Sequence, residues 1–264
     1  MKYIIDNDLH IHSLLSSCSG DAEQTAERIL QYAKINSLKT VCITDHFWDD
    51  VIKGASDWYA PQNYEHISKA LPLPKDDNVR FLFGCESEMD KNFHLGISKE
   101  KFDFFDFVII PTTHFHMRGF TLSEEQALNT KSRAKAWCDR LCAVLDMDLP
   151  FEKTGLAHLT CHLIAPTRNE YLEVLSLLEY DAMYKLFKKA AELKVGIELN
   201  ASDMNFPENE ADTILKPYKI AKEAGCKFYC GSDAHHPNTF DTSKQIFERA
   251  VNLLGLTEDD KFII

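Results

Sequence analysis

Short apolar, often β-branched runs alternate along this chain with longer segments of helical period, and the runs repeatedly stop at a histidine or a carboxylate. Tyr3 to His12 starts apolar and predicts a first strand ending in His10-Ile11-His12. Thr40-Val41-Cys42-Ile43-Thr44 has the unbroken apolar character of a buried parallel strand, and Asp45-His46 follows at once. Arg80 to Gly84 predicts a third strand running into Cys85-Glu86-Ser87-Glu88, and Phe107 to Ile110 a fourth leading to His114. Gly155 to His158, Val195 to Asn200 and Cys226 to Cys230 add three more, the last followed by Gly231-Ser232-Asp233-Ala234-His235.

The segments between them read as helices and loops. Asp21-Ala22-Glu23-Gln24 has the pattern of a capping box for a helix through Asn36, with Ile29, Leu30 and Ala33 on its apolar stripe. A short helix is expected near Tyr64 to Leu71. Ser123 with Gln126 caps a stretch where Ala134, Trp137, Cys138, Leu141, Cys142 and Leu145 recur at helical spacing. One long helix is expected over Leu172 to Leu193, with others over Ile214 to Ala224 and Thr242 to Leu254. Phe47 to Pro61, aromatic and irregular, predicts a loop lying over something. Strand and helix alternating in this way is the pattern of a parallel α/β fold. A chain of 264 residues with 45% apolar content suffices for a single domain over residues 1–264.

Composition narrows the partners. A formal net charge of −12 argues against a general grip on nucleic acid, whose affinity comes largely from Lys and Arg releasing counterions. No apolar run approaches the roughly 18 residues that span a bilayer, and none near the start has the form of a secretion signal. A cytoplasmic protein is therefore expected. The 8 cysteines are scattered without a Cys-x-x-Cys pair, so free, mostly buried thiols are expected rather than disulfides.

The candidate chemistry lies at the strand ends. In a strand, the spacing of His10 and His12 puts both rings on one face, and each neutral imidazole offers a lone pair to a borderline divalent ion. His46, Glu86, His114, His158, Asn200, Asp233 and His235 stand at corresponding positions. In closed α/β barrels the loops at the C-terminal rim converge on the axis, so these residues predict one metal site.

As an ordered set, Asp8-x-His10-x-His12, Thr44-Asp45-His46, Gly84-x-Glu86, the isolated His114 and His158, and Gly231-Ser232-Asp233-x-His235 resemble the polymerase and histidinol phosphatase (PHP) superfamily. The resemblance implies an irregular seven-stranded (β/α)7 barrel with two to three divalent ions, Zn, Mn or Fe. It places His10, His12, Glu86 and Asp233 on a first ion, and has Glu86 bridge to a second held by His114 and His158. It has His46 and His235 hold a third, completed by Asp21, by Cys18 or by neither. Asp21 is the harder donor but also stands where it would cap a helix. Glu86, Asp233 and His235 are the expected catalytic groups, Arg118 and Arg168 are candidates for holding phosphate, and Asn200 for touching substrate.

The expected activity is hydrolysis of a small phosphomonoester, such as histidinol phosphate or a similar metabolite, by a metal-bridging hydroxide attacking phosphorus. Histidinol-phosphate phosphatases of this superfamily commonly carry an Asp shortly after the histidine matching His158, where Leu159-Thr160-Cys161 stands here. A nuclease or phosphodiesterase is the alternative, and a non-catalytic metal-binding module a third. Asp45 is expected to orient a ligand histidine, and Glu88 to be a polar residue after its strand. His116, His162 and His236 are expected on the pocket rim, and His66 and His94 on the surface.

Overall fold

A computed structural model describes residues 1–264. Its strands are β1 (Asn7–Ile11), β2 (Thr40–Ile43), β3 (His46–Phe47), β4 (Arg80–Ser87), β5 (Phe107–Pro111), β6 (Thr154–Ala157), β7 (Gly196–Asn200) and β8 (Lys227–Gly231). They pair in parallel in the order β1-β2-β4-β5-β6-β7-β8, and β3 adds to the C-terminal end of β4. The helices are α1 (Ala26–Ile35), α2 (Tyr64–Ile67), α3 (Thr130–Leu145), α4 (Arg168–Leu177), α5 (Tyr180–Leu193), α6 (Ala211–Ile214), α7 (Lys216–Glu223) and α8 (Phe240–Leu254). None is long and apolar enough to cross a membrane.

The two ends of the sheet meet, so the strands make an irregular barrel as expected. At the seam the Asp233 amide donates to His10 O at 2.7 Å, and the His12 amide to Ala234 O at 3.1 Å. Below these contacts side chains take the place of a ladder. Asn7 Oδ1 accepts from the Cys230 amide and Asp8 Oδ1 from the Ser232 amide, both at 2.9 Å. Inside the ring Leu9, Leu82, Phe107, Ile109 and Tyr229 pack together, and Phe262 from the C-terminal tail closes the N-terminal end. The alternate residues of β5, Val108 and Ile110, join the outer core under the helices. That period of two is what lets a fully apolar strand serve two cores.

Several expected boundaries shift for identifiable reasons. Thr25, not Asp21, caps α1, accepting from the Arg28 amide. Asp21 accepts instead from the Glu23 amide, and the Gln24 amide group reaches His12 O and Ala234 O, tying the loop to the barrel mouth. Ser123 and Gln126 do exchange capping-type hydrogen bonds, but in a loop before Asn129, which caps α3. The single long helix is two, because Leu178 and Glu179 adopt extended ψ angles of 116° and 140° between α4 and α5. No Gly or Pro marks that break. β4 runs on to Ser87 because β3 gives it a second partner, with His46 opposite Glu86. All the cysteines are free, as expected.

Removing a seam acceptor tests the closure. Asn7→Ala leaves the buried Cys230 amide without its partner, a loss on the order of 1–3 kcal/mol. Urea unfolding should show that drop at unchanged slope; a change under 0.5 kcal/mol, the usual range for a surface substitution, would show that the seam does not depend on this contact.

Candidate metal centre

The barrel's C-terminal mouth gathers three overlapping groups of donors. They are His10, His12 and Glu86; Glu86, His114 and His158; and His12, Cys18, His46 and His235, the donor atoms of each group lying within 4.8 Å of one another. Asp233 Oδ1 joins the first, 3.3 Å from His10 Nε2 and 3.2 Å from His12 Nε2. Glu86 stands at the centre. Its Oε2 lies 3.4 Å from His12 Nε2 and 3.0 Å from His46 Nδ1, while its Oε1 lies 3.1 Å from His158 Nε2.

Hydrogen bonds on the far side of each ring decide which nitrogen carries the lone pair. His10 Nδ1 lies 2.7 Å from the Glu198 carboxylate, which can only accept, so the proton of the neutral ring is on Nδ1 and Nε2 faces the site bare. Ser16 spends its hydroxyl proton on Asp45 at 2.7 Å, so at His12 Nδ1, 2.8 Å away, it accepts. His12 Nε2 is therefore bare as well. His114 Nδ1 is engaged by Glu88 at 2.8 Å, and Arg140 donates to the other oxygen of Glu88 at 2.9 Å.

The result is a pair of bare nitrogens, His10 Nε2 and His12 Nε2, facing each other at 3.1 Å. Nearby, the buried His46 Nδ1 has no hydrogen-bond partner, although Glu86 lies beside it. Acceptors pointed at acceptors need a proton or a metal cation between them. Burial opposes ionisation of these groups, yet the surrounding imidazoles hold Glu86 and Asp233 well below the ordinary carboxylate range. Burial likewise opposes protonation of His10, but Glu198, Asp233 and Glu86 raise it well above the usual imidazole value. The pocket thus demands positive charge, and this mixed imidazole and carboxylate donor set fits Zn, Mn or Fe. At His235, burial and the neighbouring His12 lower the value to about 4, leaving a neutral ring with a lone pair to give.

Backbone strain accompanies the donors. His158 and Asp233 adopt left-handed φ angles of 33° and 53°, conformations that cost non-glycine residues about 1–3 kcal/mol each. Glu198 helps to hold them there. Its Oε2 accepts from the His158 amide at 2.7 Å and from Asn200 Nδ2 at 3.3 Å, and that same amide group reaches Asp233 Oδ2 at 3.4 Å. At Gly231, a Cβ would collide with the Glu198 carboxylate, so only glycine lets that side chain lie along β8.

Most residues singled out from the sequence come together here, and some do not. The Asp21 carboxylate lies 2.6 Å from His236 Nε2, outside all three donor groups, whereas Cys18 is in one of them. Asp45 bonds Ser13 and Ser16 and orients His12 through the latter. Asn200 lines the cavity but is engaged with carboxylates. Arg118 and Arg168 line an adjoining cavity rather than this one, and Arg168 is ion-paired with Glu210. Two carboxylates do more than the sequence indicates: Glu88, expected only as a polar residue after its strand, engages His114 and Arg140, and Glu198, which the strand-end pattern does not mark, engages His10 and the His158 amide. Glu198 is a charge inside an otherwise apolar strand, which is the available signal, whereas Glu88 lies one residue past β4 and carries none.

Above the donors opens a cavity of about 650 Å³. The loop after β3 forms part of its wall with Trp58 and Tyr59, as the aromatic character of that stretch implied. Trp58 meets the His46 ring edge-on, with centroids 4.9 Å apart. Met117 and Phe120 also line the cavity, and the Tyr59 hydroxyl is buried without a partner.

With this geometry in hand, the chain proves to belong to the PHP domain family, whose model matches residues 8–202. Asp233 and His235 lie beyond the matched segment. Among solved structures, the chain is similar to a histidinol phosphate phosphatase from Lactococcus lactis subsp. lactis Il1403, crystallised in complex with Zn, L-histidinol and phosphate. The TM-score is 0.57 at 16% identity, over 93% of each chain, which shows a shared fold. No curated protein gives a significant match.

The position of Cys18 generates a stoichiometry test. After loading with Zn and gel filtration, Cys18→Ala should hold fewer ions per chain by elemental analysis, while Asp21→Ala should match the parent. The reverse result would give the role to Asp21.

Proposed function

We propose that this protein is a metal-dependent phosphoesterase acting on a small phosphomonoester. The observation that carries the proposal is the sharing of Glu86 between two donor groups at the floor of a cavity of small-molecule size. Two or three divalent ions of the Zn, Mn or Fe type held there would supply an acidified water and positive charge for the phosphoryl oxygens.

The chain's own residues prepare that chemistry. Glu198 and Ser16 keep the Nδ1 protons of His10 and His12 on the outer side, and Glu88 does the same for His114. Asn200 steadies Asp233 beside the paired imidazoles. Trp58, Tyr59 and Phe120 wall off solvent, which strengthens electrostatic attraction inside.

A monoester fits better than a nucleic acid. Its dianionic phosphoryl group can use the full charge of a multi-ion site, whereas a diester brings one negative charge and needs a groove for its second arm. Aromatic side chains form part of the cavity wall, and the chain carries a net charge of −12. Histidinol phosphate is the first compound to try, given the ligands of the structurally similar enzyme. The Leu159-Thr160-Cys161 sequence after His158 is a reason to screen other amino-alcohol and sugar phosphates beside it.

With Zn, Mn or Fe supplied, a chromogenic phosphate monoester should be hydrolysed faster than the matching diester. Glu86→Ala should lower turnover by at least 100-fold, roughly 2.7 kcal/mol of transition-state stabilisation. Faster cleavage of the diester, or digestion of single-stranded DNA at physiological salt, would replace this reading with the nuclease one.

A further inference from the structure

A second cavity, of about 610 Å³, adjoins the first and shares His116, His162 and Leu163 with it. Arg118, Arg133 and Arg168 all line it, and no Asp or Glu does. Of the three, only Arg168 is ion-paired, with Glu210.

Arg133 is the unusual member. It projects from α3, is 4% exposed, and donates to two neutral acceptors, Ile164 O and Ala127 O, both at 3.0 Å. No carboxylate pairs with it. Glu170, the acid nearest in influence, has its carboxylate on the Thr167 hydroxyl at 3.1 Å. Arg118, on the loop after β5, is exposed and adds a second positive charge close enough to oppose that of Arg133. A guanidinium buried beside another cation, with only carbonyls for partners, is unfavourable by itself. Two unpaired forks facing one cavity are the geometry that takes up a carboxylate or phosphate.

We propose that this cavity is an anion subsite, so that the natural substrate of the metal centre carries a second anionic group, carboxylate or phosphate, at the end away from the scissile phosphoryl group. The inference rests on the phosphomonoesterase reading for the identity of the first group. His116 and His162 line both cavities, so a single ligand passing them would reach the donor-lined floor at one end and the arginines at the other. The charge that selects the second group is that of the guanidinia.

Three non-hydrolysable phosphonates of equal chain length test this on the Zn-loaded protein by calorimetry. One ends in a hydroxyl, one in a carboxylate and one in a second phosphonate. At least one doubly anionic probe should bind tenfold or more tightly than the hydroxyl probe, and which one does so identifies the group. Arg118→Ala, at an exposed position that does not threaten folding, should reduce that advantage to less than threefold, and Arg118→Lys should restore part of it. Equal binding of all three probes to the parent protein, or an advantage that survives Arg118→Ala, would overturn the subsite. Absence of turnover on every monoester, with the anionic advantage intact, would overturn the phosphatase reading alone.

Discussion

Two imidazole nitrogens, each presenting a lone pair, face each other 3.1 Å apart at the mouth of this barrel, and much of the surrounding structure exists to keep them so. Between neutral rings that contact is unfavourable, and only a proton, which the carboxylates around His10 favour, or a bound cation relieves it. It is maintained from behind, by Glu198 on His10 and by Ser16 and Asp45 on His12. Glu86 and Asp233 then bring carboxylate oxygens to the same point. A divalent cation turns every one of these repulsions into an attraction, which is why the donors read as a metal centre and not as a hydrogen-bonded polar core.

The barrel supplies the rigidity this requires. A closed ring of parallel strands ends all its members at one rim, so donors far apart in sequence, from His10 to His235, meet within a few ångströms. The seam between β8 and β1 is where closure and function coincide. The contacts that join these strands pass through His10 O, Asp233 N and His12 N, the backbone of the donors themselves. Left-handed φ angles at His158 and Asp233 are carried by the same framework, with Glu198 bonded to the His158 amide and through Asn200 to Asp233.

Much of this was legible in the sequence, because strand periodicity and strand-end histidines are local signals. Seven strands lie where apolar runs predict them, with the rim residues at or near their ends; the two-residue β3, which falls partly in the expected loop, has no such signal. What local reading could not settle depended on contacts made across the fold. Asp21 and Gln24 look like a capping box, but Thr25 is closer to the apolar stripe and takes the cap, freeing Gln24 to bind the barrel mouth. The break at Leu178 lies within a continuous apolar pattern and has no turn residue to announce it. Arg118 and Arg168 follow donor histidines in sequence, yet the loops carry them into the next cavity. Glu198 is not legible locally because a carboxylate inside a strand shows its purpose only when His10 and His158 come to it from other strands, beside Asn200 of its own.

The most direct test is a crystal structure of the purified, metal-supplemented protein with anomalous scattering measured at the absorption edge of the bound metal. The account predicts two or three anomalous peaks at the barrel mouth, one of them between His10, His12 and Asp233, and Glu86 within bonding distance of two. A well-ordered site without any anomalous peak, in which His10 Nε2 and His12 Nε2 still face each other at hydrogen-bonding distance, would contradict it.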